Sequence, residues 1–400
     1  MMDVLGVILA FAIIIALRLR NVDFTLSILI GGAIVTLTSG MPPKFVLEAA
    51  METLKDPMTL NIMSAVALIT VLSYMLKETG AMAELIEGLR GILPVRVLLS
   101  IIPAMFGILA MPGGALMSAP FNEPEAERLK LKPEHKTFIN VWFRHIWYWA
   151  SPLSPVTILT ASIACYTIND FVIAQLPIFP VSLAIGFIIT RLFLKKNVQP
   201  ARIQKGYPEI VNGLSPIALA VLLSISGVPL WISLLAGIAA LIFLTKLPLS
   251  RVPEMAMKGV KWDTVFSTFA ILYFRYIVTS SGSVESLFAY IAGFNIPLIA
   301  IFIVVPVLVG AISGTPTMAT GILLPLFLPL CSGSINLISL VYSGLIAGYI
   351  ASPMHLCLVL TNSYYKSVLG KVYRYLVPAV VIQYLATLVY HLTLYGGIPL

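Results

Sequence analysis

The chain has 400 residues, 59% of them hydrophobic and only 10% charged, and its mean hydropathy is +0.99. A soluble domain carries about 25% charged residues, so a water-soluble globular fold is excluded and an all-α polytopic membrane protein is expected. The net charge of +8 would suit a nucleic-acid binder, but the basic residues sit in short loops between apolar runs. That is the positive-inside pattern of membrane chains, and the partner it implies is a lipid bilayer rather than a nucleic acid.

In chain order, the first half holds apolar runs at 3–18, 24–40, 59–77, 136–166 and 170–194. The second half holds runs at 208–225, 228–246, 263–280, 335–364 and 373–396. Each is near the roughly 20 residues that span a bilayer. The N-terminus turns apolar at once, without a basic leader or a small-residue cleavage site, and reads as a retained first helix. Cys165, Cys331 and Cys357 all fall in apolar stretches. They make no disulfide framework, have no metal-ligand spacing and read as small core residues.

Two further apolar stretches, 94–127 and 296–333, are interrupted by Met111-Pro112-Gly113-Gly114 and by Ser313-Gly314-Thr315-Pro316-Thr317. Each is either a spanning helix plus a loop or a re-entrant hairpin. Charge decides between them. With hairpins and an external N-terminus, 21 of the 25 Lys and Arg share the inner face. The exceptions are Lys44 and Lys55 outside, and Arg144 and Arg275 within spans. Plain crossings would scatter basic loops over both faces, so hairpins and external termini are expected.

The chain also repeats itself. Ala150-Ser151-Pro152 and Leu159-Thr160 return as Ala351-Ser352-Pro353 and Leu360-Thr361, at an offset of 201. Gly80 matches Gly282, Pro94 matches Pro297, Pro103 matches Pro306, Gly107 matches Gly310 and Gly32 matches Gly237 at nearly that offset. Two repeats follow, 1–195 and 208–400, joined by a polar cytoplasmic linker at 196–207. Five spans per repeat, about ten in all plus the two hairpins, is an odd number per copy, so the copies are expected to be inverted. Amphipathic stretches at Ala81–Leu93 and Ser283–Gly293 are read as interfacial helices in preference to core-packing ones. The charged run Asn122–Lys136 is read as a solvated loop.

Proline forbids regular helix at the two Ser-Pro steps. Half-helices are therefore expected at 136–149 and 153–166, and at 335–350 and 354–364. Unwound backbone inside a bilayer is tolerated only where protein or a water-filled cavity satisfies it. Paired breaks of this kind in two halves point to a transport site. The candidate substrate residues are Gly113, Gly114, Ser151, Ser154, Thr157, Ser313, Gly314, Thr315, Thr317, Ser352, His355 and Asn362. Half-helix N-termini favour an anion. Half-helix C-terminal ends and unwound carbonyls near Gly113, Ser151, Ser313, Thr315 and Ser352 would suit Na⁺, held by carbonyls and hydroxyls, since no carboxylate lies in the breaks. His355 takes the slot of Ser154 in the other copy and reads as a proton carrier, a hydrogen-bond donor or a satisfied core residue. Arg144 is placed to stack on Trp147 or Tyr148 or to meet an anion, and Arg275 to snorkel, to pair with Glu285 or to attract an anion. His145, His355 and Glu123 form no metal or proteolytic signature.

This pattern resembles the ion transporter superfamily of gluconate permeases, citrate carriers and divalent-anion/sodium symporters. The chain is most similar to an uncharacterised prokaryotic membrane family, domain of unknown function family 401. In the symporters each hairpin tip carries Ser-Asn-Thr. Here the second tip, Ser313-Gly314-Thr315, is similar, whereas the first, Pro112-Gly113-Gly114, is not. The resemblance implies an elevator-type secondary transporter in a prokaryotic plasma membrane, a homodimer, moving a small organic anion (a carboxylate or sugar acid) with Na⁺ or H⁺. No cofactor and no enzymatic activity are expected. An intramembrane enzyme lacks a GxGD, HExxH or Ser/His/Asp set, and a channel lacks a charge ring or filter repeat.

Overall fold

The computed structural model describes residues 2–20, 22–108, 114–194, 207–283, 297–331 and 333–394. All regular structure among them is helical. The first half comprises α1 (Met2–Leu19), α2 (Phe24–Thr38), α3 (Phe45–Lys55), α4 (Pro57–Glu78), α5 (Ala81–Ile92), α6 (Val95–Ile108), α7 (Gly114–Arg128), α8 (Pro133–His145), α9 (Pro155–Ile163), α10 (Ile168–Gln175) and α11 (Ile178–Phe193). The second comprises α12 (Tyr207–Ile225), α13 (Leu230–Leu244), α14 (Val252–Gly259), α15 (Trp262–Ser280), α16 (Leu298–Ser313), α17 (Pro316–Cys331), α18 (Ile335–Ala351), α19 (Leu356–Tyr365) and α20 (Leu369–Leu394).

Local chemistry sets these boundaries. Asp56 caps α4 by accepting from the amides of Met58 and Thr59 at 3.2 and 3.1 Å, with Pro57 in the first position, where its missing N–H costs nothing. Among the described residues, three helical stretches are long and apolar enough to cross a bilayer unaided: Pro57–Glu78, Ile335–Tyr365 and Leu369–Thr393. Eight more apolar helices have 10–17 residues, and at 1.5 Å per residue most fall short of a hydrocarbon core of about 30 Å. Large apolar side chains such as Leu192, Leu222 and Phe243 are exposed, and on α20 Val377, Val381, Leu385 and Val389 form an exposed stripe. Such surface is compatible with lipid rather than water.

Contacts sort the helix ends into two groups. At one end Thr137 meets Ser367, the His135 ring stacks on Phe193, Tyr364 donates to Glu123, and Glu78 shares a recess with Lys246, Arg251 and Lys258. At the other, Ser39 meets Ser283, Tyr166 meets Gly333, Asn169 donates to the carbonyls of Ser224 and Ile225, and Glu52 and Asp56 share a recess with Arg275. The arms α6 and α7 start and finish at the first end. Arg90, just before α6, pairs with Glu125, near the end of α7, at 3.0 Å. Asn122 also donates to the Leu99 carbonyl across the arms. In the other arm pair Phe302 meets Phe327 at 5.2 Å between ring centres, one residue near the start of α16 and the other near the end of α17.

Matching helices of the two halves pack alike. The α1–α2 and α12–α13 pairs correspond, as do α2 on α15 and α13 on α4. So do α6 on α8 and α16 on α18, and α17 on α9 with α7 on α19. The repeated glycines sit at the same joint. A Cβ on Gly107 would lie 2.0 Å from the Arg144 carbonyl oxygen, and one on Gly310 would lie 2.1 Å from that of Leu345. Only glycine lets these backbones approach so closely.

Three expectations need correction. The run 170–194 is two helices, α10 and α11, parted at Leu176-Pro177, and α9 and α10 turn by 111° across Ala164–Thr167. The stretch 81–93 is α5, whose apolar face is covered by α12; Gly213 packs on Leu85 and the Ala81 carbonyl. It is a core-packing helix rather than an interfacial one. The run 122–136 is mostly helix, and although Glu127, Arg128, Lys130 and Lys132 are exposed, four of its charged groups are paired within the fold. Glu125 pairs with Arg90, Glu127 with the buried Lys136, and Glu123 accepts from Tyr364. Most of the 196–207 linker, the tip 109–113 and most of 283–293 lie outside the described residues.

Candidate functional site

Both Ser-Pro steps break the helix as expected, and they do so with the same hydrogen bonds. In the first break α8 runs into a 3₁₀ turn, Ile146–Trp149, before the chain extends through Ser151–Ser154 into α9. The Ser151 hydroxyl accepts from the Leu153 amide at 3.1 Å, and the Ser154 amide donates to the Ser151 carbonyl at 3.4 Å. In the second break the Ser352 hydroxyl accepts from the Met354 amide at 3.0 Å, and the His355 amide donates to the Ser352 carbonyl at 3.1 Å. The Ser-Pro serines thus satisfy local backbone. Ser352 also donates to the Ala311 carbonyl on α16.

Between the breaks lies a cavity of about 290 Å³. Ser154, Pro155 and Val156 line it from the start of α9. Gly314, Thr315, Pro316 and Thr317 line it from the second tip and the start of α17, and Leu356 and Cys357 from the start of α19. Arg144, His145, Tyr148 and Tyr349 complete the wall. Larger recesses exist elsewhere, but they lie among charged residues at the two ends of the bundle. Of these three recesses, this one is lined by residues that flank both breaks and by the turn Gly314–Thr317.

Three helix N-termini therefore open on one space. The first turn of a helix leaves amides without intrahelical partners. At α9 and α19 the N-cap residues, Ser154 and His355, give those amides no side-chain bond. The Ser154 hydroxyl is buried and lacks a protein partner. Gly314 stands at φ +66°, and its Cα side faces the Met354 carbonyl so closely that a Cβ would lie 3.1 Å from the oxygen. Glycine thus supplies both the left-handed turn and the close approach of tip to break. Arg144 is buried and donates to the Phe106 carbonyl at 2.8 Å, bridging the first break to arm α6 near its tip.

Of the residues expected from sequence, Ser154, Gly314, Thr315 and Thr317 line the cavity. Ser151, Thr157, Ser313 and Ser352 sit behind it, with hydroxyls engaged. Thr157 meets the Tyr342 hydroxyl at 3.3 Å, and Ser313 donates to the Gly310 and Thr315 carbonyls. Asn362 lies away from the cavity and accepts from Ser367. Gly114 begins α7, and Gly113 is outside the described residues. Arg275 is in the recess at the other end of the bundle, where it donates to the Cys165 sulfur at 2.9 Å.

The fully buried His355 faces His145, with 3.1 Å between their Nε2 atoms. Local spacing gives His145, His355 and Glu123 no metal signature, because 210 positions divide the two histidines. Cys357, taken as a small core residue, sits beside them. The one available signal was that His145 precedes the first break while His355 ends the second.

A family model described as "Protein of unknown function (DUF401)" matches residues 4–393. The chain belongs to this family. No curated protein matches it. The match covers both halves, both breaks and every cavity residue named above.

Proposed function

We propose that the chain is a secondary active transporter of a small organic anion, such as a carboxylate or sugar acid, coupled to Na⁺ or H⁺. The observation that carries this reading is the convergence of three helix N-termini and Arg144 on one cavity. Each N-terminus carries a partial positive charge and free N–H donors, contributing up to about 2 kcal/mol to a partly buried anion. A cation would face the same positive ends.

The layout belonging to this reading is two inverted repeats of five spans with two re-entrant hairpins, in the manner of the ion transporter superfamily. The sorting of helix ends supports it. In the contacts given above, described loops assigned inside from charge touch one another, and loops assigned outside touch one another. The arms α6–α7 and α16–α17 return to the ends they came from. With basic loops inside, both termini are outside, the membrane is a prokaryotic plasma membrane and the cavity reaches toward the inner end through Thr264. Rocking of the broken-helix and hairpin unit against α1–α5 and α12–α15 gives elevator-type access, and a homodimer would hold that scaffold still.

Uptake into proteoliposomes with imposed Na⁺ and proton gradients tests the proposal. A carrier gives saturable uptake that one gradient drives. Flux that neither saturates nor follows a gradient would point to a channel, and chemical conversion of the solute to an enzyme.

A further inference from the structure

We infer that His145, His355 and Cys357 form a binding site for a borderline or soft first-row transition-metal ion, Zn²⁺-like or Cu⁺-like, at the edge of the cavity. The inference goes beyond anion transport and does not depend on it.

The argument starts from the two rings. His145 Nδ1 lies 2.6 Å from the Val141 carbonyl oxygen, and His355 Nδ1 lies 3.3 Å from that of Ile350. A carbonyl only accepts, so each Nδ1 carries the hydrogen. Each Nε2 of the neutral ring then presents a lone pair. These two lone pairs face one another at 3.1 Å, with both rings buried. Two acceptors at that distance repel unless something electrophilic sits between or beside them. Backbone carbonyls that fix the far nitrogen are also the usual outer support of metal-binding histidines, because they set tautomer and ring direction.

The third group is the Cys357 sulfur. It lies with the two Nε2 atoms in a cluster whose members are all within 4.8 Å of one another. Metal–nitrogen bonds of about 2.0–2.1 Å and a metal–sulfur bond of about 2.3 Å in a tetrahedron place nitrogens about 3.3 Å apart and sulfur about 3.6 Å from each. The nitrogen pair, at 3.1 Å, is close to that spacing, and the sulfur, within 4.8 Å of both, has about 1 Å at most to close. Cys357 and His145 line the cavity, which leaves a fourth position open toward it, the pattern of sites that hold an exchangeable ligand.

Ligand type selects the ion. Imidazole and thiolate favour zinc and copper over Na⁺, Mg²⁺ or Ca²⁺, which take oxygen ligands. Arg144 and three helix N-termini oppose a bare cation here. Cys357, on the first turn of α19, answers this because a metal-coordinated thiol is deprotonated and its negative charge offsets that of the ion. Binding forms two nitrogen–metal bonds and one sulfur–metal bond. It breaks the S–H bond, releases that proton to water through the cavity and changes no oxidation state.

Co²⁺ titration of the purified, tag-free full-length protein in detergent is the test, because a cobalt–thiolate bond has a near-ultraviolet charge-transfer band. One ion per chain and a band absent from Cys357→Ser are expected. Cys165→Ser, at the exposed cysteine across the bundle, keeps the band, while His145→Ala and His355→Ala weaken cobalt binding at least tenfold. Cys357 is only half-buried, so its serine variant folds even if a histidine variant does not, as size-exclusion and thermal-melting profiles will report. No band under excess cobalt, or one that survives Cys357→Ser, overturns the site. In the first outcome the facing nitrogens share a proton instead.

Discussion

The two helix breaks use one backbone solution and differ where it counts for chemistry. Ser151-Pro152 and Ser352-Pro353 make the same serine turn, and the extended residues that end it, Ser154 and His355, cap α9 and α19 without side-chain bonds. In the first break that residue is a serine that lines the cavity and whose buried hydroxyl lacks a protein partner. In the second it is a histidine turned away from the cavity lining onto His145. Repetition thus preserved the geometry that opens helix ends inward, and one position made the two ends unequal. One break leaves a hydroxyl without a protein partner; the other sets a histidine nitrogen against His145.

The largest expected effect breaks what the repeats share. Gly107→Leu or Gly310→Leu would drive a side chain into the carbonyl of Arg144 or Leu345, where even a Cβ would sit about 2 Å away. Backbone has to move, and a loss of about 3 kcal/mol or more is expected, read as little folded protein on size exclusion. Normal folding of either variant would mean that the α6–α8 and α16–α18 joints are looser than described.

Next is the closure of the first arm pair. Arg90→Gln leaves Glu125 buried with its charge unpaired. Removing one partner of a buried pair costs about 3 kcal/mol, somewhat less here because the arginine is partly exposed. The result is a lower melting temperature in Arg90→Gln that Glu125→Gln largely restores in the double variant. Independent, additive losses would remove the pair from the account of the hairpin.

A smaller effect sharpens the difference between the breaks. Ser154→Ala removes a buried hydroxyl without a protein partner, so stability should hold or rise. Loss of a hydrogen bond to a charged ligand is worth about 1.5–3 kcal/mol, so the apparent KM for the anion should rise about tenfold or more. Lower stability with unchanged KM would make Ser154 a packing residue. The smallest effect is at Asn362, which bonds Ser367 away from the cavity. Asn362→Ala should alter stability by about 1 kcal/mol and leave KM unchanged, and a raised KM there would move the site.

Much of this was legible in the chain. Offsets near 201 marked the paired breaks and glycine joints, because backbone devices need particular residues: Pro to remove a donor, Gly to let helices touch. Ser154 and the second tip were reachable by the same logic. The His145–His355–Cys357 group was not, because it forms across two copies and no local spacing encodes it. Leu176-Pro177 was passed over inside an apolar run, since hydropathy measures length and not bending. Charge at 122–136 suggested solvent, yet Arg90 holds Glu125 buried and Glu127 pairs with the buried Lys136.

The most direct test of the central claim, that converging helix ends make this cavity an anion site, is the sign of the charge it accepts. Thermal shifts of the purified protein would be measured against carboxylates, phosphonates and sugar acids, and against amines and cationic drugs, with Ser154→Ala as the paired control. The account predicts stabilisation by members of the anionic set, with each shift reduced in Ser154→Ala. Stabilisation by cations while the anions do nothing would contradict it.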